Sequence, residues 1–141
     1  MRAAEVRTAI VDAIEAITPG SQVSTEDGYR APDFDAPARD RALRLDRVGP
    51  QVPAQSLVTT LGGTADPYEI TFELTVLYVD GRGTTARKLD DGDECVDALR
   101  QLTEHAQIRT VEIRPGSDVL DPNGYWIVNW DLSVQYDRRD P

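Results

Sequence analysis

Tyr125-Trp126-Ile127-Val128-Asn129-Trp130-Asp131-Leu132-Ser133-Val134-Gln135-Tyr136 is the stretch on which the fold turns. Trp126, Val128, Trp130, Leu132, Val134 and Tyr136 recur at period two, and Asn129, Asp131, Ser133 and Gln135 fall between them. That alternation predicts a β-strand with one face in a core and one polar face. Both tryptophans of the chain lie on the apolar face, so a short truncation here is expected to ruin the fold. The opposite face reads as a wet side.

A second strand with the same signature covers residues 68–79. Tyr68, Ile70, Phe72, Leu74, Val76 and Tyr78 share one face, opposed by Glu69, Thr71, Glu73 and Thr75, while Leu77 and Val79 make the end of that second face apolar. Residues 107–114 predict a third strand, and residues 115–124, with Pro115, Gly116, Pro122 and Gly124, read as a turn-rich link. Residues 41–48 give a short strand with weak, partly exposed sides.

Two helices are expected. In residues 2–17, Val6, Ile10, Ala13, Ile14 and Ile17 form one stripe, ended by Thr18-Pro19-Gly20. The second is read over residues 91–106, with Val96, Leu99, Leu102 and Ala106 as its stripe. Asp91 and Glu94 are taken as a capping box, and the acidic run Asp90, Asp91, Asp93, Glu94 as a first turn suited to the helix dipole. Residues 80–84 read as a flexible turn. Residues 21–38 read as a loop pinned by Tyr29 and Phe34, with a short strand near residues 22–24. Residues 49–67 carry Pro50, Pro53, Gly62, Gly63 and Pro67 around a strand at 56–61. A connection of that length predicts a protruding arm. The order helix, two or three strands, helix, two strands predicts an α+β two-layer sandwich: a mainly antiparallel sheet with both helices on one face.

A chain of 141 residues suits a single domain with one core, burying roughly two thirds of its unfolded surface. Asp and Glu number 25 against 15 Lys and Arg, for a net charge of −10. That balance argues against sequence-specific nucleic-acid binding and against an anionic membrane as partner. No run approaches the ~18 apolar residues that span a bilayer, and the charged N-terminal segment does not read as a signal region. One cysteine, Cys95, leaves no internal disulfide to form.

No residue pattern in the chain carries catalysis. His105, the lone histidine, has no signature partners for a triad or a metal and reads as structural. Cys95 lies beside the apolar stripe of the second helix and reads as a core filler. Asp90-Asp91-Gly92-Asp93-Glu94 fails the twelve-residue calcium-loop spacing. Gly81-Arg82-Gly83 lacks the lysine and hydroxyl of a phosphate loop. Arg39, Arg41, Arg44 and Arg47 form a basic group, expected to meet acids of a neighbouring copy or of its own fold. No cofactor is expected and the chain is not read as an enzyme.

Taken in order, "MRAAEVRTAIVDAIEAITPG", "YEITFELTVLYVDG", "DDGDECVDALRQLTEHA", "IRTVEIRPG" and "GYWIVNWDLSVQYDRR" resemble tail terminator proteins of long-tailed bacteriophages and phage-like particles. The resemblance spans nearly the whole chain and rests on length, element order and the aromatic last strand. It implies a homohexameric ring that caps the head-proximal end of the tail tube, stops its polymerisation and meets the head-side connector. It also implies location in the virion neck after assembly in the host cytoplasm. The tail tube protein and a head-completion protein are the expected partners, with DNA passing through an acidic lumen that does not hold phosphates. Within that picture Arg39, Arg41, Arg44, Arg47 and the arm at residues 49–67 are expected to contact adjacent subunits or the tube. Asp80, Arg82 and Arg87 are expected to contact a neighbouring ring. Another neck, tail-completion or minor tail protein fits the same elements. From other classes, a small cytoplasmic α+β ligand-binding domain or enzyme and an acidic DNA mimic stay open.

Overall fold

The computed structural model describes residues 1–17, 23–24, 42–54 and 66–138. Helix α1 (Ala3–Glu15) buries Val6, Ile10, Val11 and Ile14, a stripe at the spacing of one helical face. The Arg2 backbone N–H donates to the Glu5 carboxylate at 2.6 Å, satisfying a donor that the first turn leaves without a helical partner. Strands β1 (Val23–Ser24), β2 (Ala42–Arg47), β3 (Val52–Pro53) and β4 (Pro67–Val79) follow. Helix α2 (Thr84–Arg100) runs into a 3-10 turn (Gln101–Glu104), and β5 (Ile108–Asp121) and β6 (Tyr125–Asp137) close the order.

One sheet holds all six strands in the order β1-β2-β4-β6-β5, with β3 beside β4 past the end of β2. All pairings are antiparallel except β1 with β2. The two strands read most firmly from alternation are the central ones. They pair along their whole length, from Pro67 opposite Asp137 to Val79 opposite Tyr125. Even-numbered residues of both face the helices: Ile70, Phe72, Leu74, Val76 and Tyr78 meet Leu132, Val134 and Tyr136. From β2, Leu43 and Leu45 join this core, and from the helical layer come α1 with Cys95, Leu99 and Leu102. The α+β two-layer sandwich expected from the sequence is the observed fold.

Three local expectations change. The β2 strand is not weakly sided, since Leu43 and Leu45 are buried against the helices. The second helix begins at Thr84 and not at Asp91, so residues 84–87 of the supposed loop form its first turn. Residues 115–121, read as a link, continue β5 through a bulge between Pro115 and Asp118. An edge strand can hold a proline because its outward N–H has no ladder partner to lose. The bulge needs glycine: a Cβ on Gly116 would stand 2.9 Å from the backbone oxygen of Asn129. The strand read at residues 56–61, and Tyr29 and Phe34, lie outside the described residues. Among the described residues, no helix is long and apolar enough to cross a membrane.

Candidate functional site

The chain turns from β4 into α2 through Gly83, whose φ of +83° is a conformation that a side chain would strain. Thr84, 3% exposed, then donates its hydroxyl to the carbonyls of Gly81 at 2.9 Å and Val79 at 3.1 Å. With that start, the acidic run 90–94 lies in the middle of the helix and caps nothing. Asp91 is 3% exposed, Asp93 points to a groove, and Gly92 lets the helix approach a ring. A Cβ on Gly92 would lie 3.3 Å from the Trp130 indole.

Lys88, the lone lysine, fastens this helix to the β5–β6 hairpin. Its Nζ donates to both Asp118 carboxylate oxygens, at 3.0 and 3.1 Å, and stands 3.7 Å from the centre of the Trp126 ring. Trp126 Nε1 in turn donates to Asp80 at 2.9 Å. The Lys88 side chain is 13% exposed and that of Asp118 51%, so the cation–π contact is better shielded than the ion pair. Lys88→Ala is expected to cost about 1–2 kcal/mol, and Lys88→Met to recover part of it by keeping the stem packed. Urea unfolding followed by tryptophan fluorescence measures both.

Beneath this latch lies a groove of about 350 Å³ between α2 and the hairpin. Val96, Val128 and Trp130 make it apolar, Leu89 stands at its mouth, and Asp93 and Asp118 sit on its rim.

The sheet face opposite the helices is half-buried for most of its residues, with Thr75 and Leu77 buried, and the register arranges it in two halves. Towards Asp137, Asp46, Glu73 and Asp131 stand directly opposite one another on β2, β4 and β6, with Arg114 next in the row on β5. Like charges facing across strands oppose pairing. Arg114 is paired with Glu112 at 2.6 Å and its guanidinium is held above its usual range, by that bond first and then by the Glu112, Asp131 and Glu69 charges. Glu69 accepts from Ser133 Oγ at 2.8 Å and from Gln135 Nε2 at 3.5 Å. Further along, Thr75 Oγ1 donates to Asn129 at 2.9 Å, and Asn129 Nδ2 donates to Ser117 at 2.6 Å. Towards the hairpin tip the same face becomes apolar: Leu77, Ile127 and Val119 share one row, and Val79 and Tyr125 the next. Val79 and Val119 are exposed.

The sequence-derived interface residues scatter across this frame. Arg44 makes an ion pair with Asp46 of its own strand. Arg47 is exposed at the end of β2, and Arg82 is exposed in the turn before α2. Asp80 holds Trp126, and Arg87 lies half-buried in the first turn of α2, within hydrogen-bonding distance of Thr84 at 3.5 Å. Arg39 and Arg41 lie outside the described residues. No pattern in the sequence pointed to the Lys88–Trp126–Asp118 latch or to the groove, because both depend on where α2 begins.

His105 is exposed, its Nδ1 accepting from the Gln107 N–H at 3.3 Å. Cys95 is 3% exposed, and burial, followed by the charges of Asp91 and Glu94, pushes its thiol up to about 12. It is expected to resist a thiol reagent at pH 8 until the protein unfolds. The folded-state pKa is raised, so the contribution to stability is full below the unfolded value near 9 and is lost as pH rises towards 12. Cys95→Ala should flatten the fall in stability above pH 9, measured as urea midpoints against pH. Among the described residues, no group of three or more His, Cys, Asp or Glu is placed to hold a metal ion.

A solved chain shares this fold. It superposes with a TM-score of 0.55 at 18% identity, covering 100% of this chain and 99% of the other, and it carries only a serial designation in place of a functional name. No family model matches the chain. Among curated proteins, none matches.

Proposed function

We propose that this chain is a structural virion protein of the tail terminator kind: a ring subunit that caps the head-proximal end of a tail tube, stops its growth and joins it to the head-side connector. The observation that carries this reading is the one-sided sheet. Both helices occupy one face, and among the described residues the other carries an acidic half around Glu73 and Asp131 and an apolar tip where Val79 and Val119 are exposed. Exposed apolar residues at one end of a face and acids set opposite one another at the other contribute little to a monomer, and they suit a subunit whose surfaces are completed in an assembly. The element order and closing aromatic strand support the choice of this assembly. An acidic ring repels phosphates and lets DNA slide, since basic contacts are what make nucleic acid adhere. The ring is proposed as a homohexamer, in the neck of the particle.

Mass in solution and in particles tests it. The expected result is a closed hexameric ring by native mass spectrometry or electron microscopy, and the protein at the head–tail junction of purified particles. Loss of the gene should give tails of uncontrolled length. Tails of normal length would assign the chain to another neck role, and a monomer absent from particles overturns the structural reading altogether.

The α2–hairpin groove favours one reading from another class, a small ligand-binding domain. Its apolar floor with Lys88 and Asp93 near the rim has the make-up of a small-molecule pocket. Soaking with a library of small aromatic compounds, read by Trp130 fluorescence, separates this from the ring.

A further inference from the structure

The turn that closes the β5–β6 hairpin, Asp121-Pro122-Asn123-Gly124, places an asparagine directly before a glycine. Asn123 is exposed, and its side-chain amide bonds to no described residue. Gly124 has a φ of +88°, and nothing lies within 4 Å of where a Cβ would stand. We propose that Asn123 is a site of spontaneous deamidation in the folded protein, giving aspartate and its β-linked isomer.

The reaction needs only water. The Gly124 backbone nitrogen gives up its proton to solvent base and attacks the side-chain carbonyl carbon of Asn123. The new C–N bond closes a five-membered imide, and the side-chain nitrogen takes up a proton and leaves as ammonia. Water then opens the imide at either carbonyl, so the main chain passes through the α- or the β-carboxyl. Nothing is oxidised or reduced. A glycine on the attacking side matters because a side chain there would crowd the ring as it closes.

The other asparagine of the chain lacks these conditions. Asn129 lies within β6, where its side-chain oxygen accepts from Thr75 at 2.9 Å and its Nδ2 donates to Ser117 at 2.6 Å. The bulky Trp130 follows it. Its amide is held at both ends in a central strand.

The turn sets the pace at Asn123. The Gly124 N–H donates to the Asp121 carbonyl at 2.9 Å, and the Asn123 N–H to the Asp121 carboxylate at 2.8 Å. While these bonds hold, the attacking nitrogen is committed to the turn, so the reaction runs from the opened tip. Hairpin tips open readily, since few buried contacts hold them. Two exposed bonds of ordinary strength slow the folded chain roughly tenfold relative to the unfolded one.

The products disturb what the turn supports. The Gly124 carbonyl accepts from the Asp80 N–H at 2.9 Å, and the Asp80 carboxylate accepts from Trp126 Nε1 at 2.9 Å. The β-linked isomer inserts one more carbon into the main chain at that turn and displaces Gly124 from Asp80. Either product adds a negative charge two residues from Asp121.

Incubation of the protein in mildly alkaline buffer, folded and in guanidinium chloride, tests this by ion-exchange chromatography and peptide mapping. An acidic form should accumulate in both, roughly tenfold more slowly in the folded chain, with the change mapping to residue 123. The Asn123→Gln variant should not form it, and the modified fraction should show altered tryptophan emission through the loosened Asp80–Trp126 bond. Rearrangement at Asp80-Gly81 or Asp91-Gly92 leaves the charge unchanged and does not enter the readout. Deamidation of the unfolded chain alone, or an acidic form that maps to Asn129, overturns the proposal.

Discussion

A chain ended before Tyr136 is expected not to fold, whereas one ended after Arg138 is expected to fold. Tyr136 is 1% exposed and pairs with Tyr68 on one side and Ile108 on the other, so it ties β6 to both neighbours. Losing such a side chain costs about 3–5 kcal/mol, against the 5–15 kcal/mol that hold an ordinary domain together. Asp137 goes with it. Its carboxylate accepts from the Asp66 N–H at 2.9 Å and meets Arg109 at 3.4 Å, and its carbonyl accepts from the Met1 amino group at 3.1 Å. Arg138 adds a backbone bond to Asp66 and lies over the Tyr68 ring at 4.6 Å. Soluble yield and amide dispersion in a two-dimensional NMR spectrum distinguish the two chains. A well-dispersed spectrum from the shorter one would show that β6 is less central than its packing indicates.

Leu132→Ala is expected to lower the unfolding free energy by about 3 kcal/mol, and Leu132→Asp to prevent folding. Leu132 has no exposed surface and sits opposite Phe72 on β4 and Ile113 on β5. Removing its branched end forfeits the transfer energy of the lost atoms and leaves a cavity, because residues paired on both sides cannot move in to fill it. A buried aspartate in its place would have to be neutral or unpaired, at a cost of several kcal/mol. The adjacent Asp131→Ala points to the open face and should change stability by less than about 0.5 kcal/mol. Urea titration of the three variants reads the contrast between neighbouring residues on opposite faces of one strand.

The contrast also marks how much the sequence could tell. Alternation fixed β4 and β6, since a period of two places successive side chains on opposite faces whatever else the chain does. The same rule sorted Leu132 inward and Asp131 outward, and with the helical stripe of α1 it was enough for the two-layer class. It failed where local chemistry has two meanings. Asp91 and Glu94 imitate a capping box, yet the helix starts a full seven residues earlier, at a glycine with positive φ and a threonine whose hydroxyl closes the turn. Pro115 and Gly116 imitate a linker, yet an edge strand tolerates the first and a bulge requires the second.

The candidate site was less legible than the fold for the same reason. Lys88, Trp126 and Asp118 come from α2, β6 and β5, and their meeting depends on the angle at which α2 crosses the hairpin. Arg44 was noticed as a charge, and only the strand's geometry gives it Asp46 as partner. By itself the sequence determined which residues are apolar at period two or along one helical stripe, and hence the layers, because these patterns are local. The tertiary structure alone decided where α2 begins, which acids face one another across the open sheet, and that an apolar groove lies beside Trp130, because each of these depends on residues brought together from distant parts of the chain.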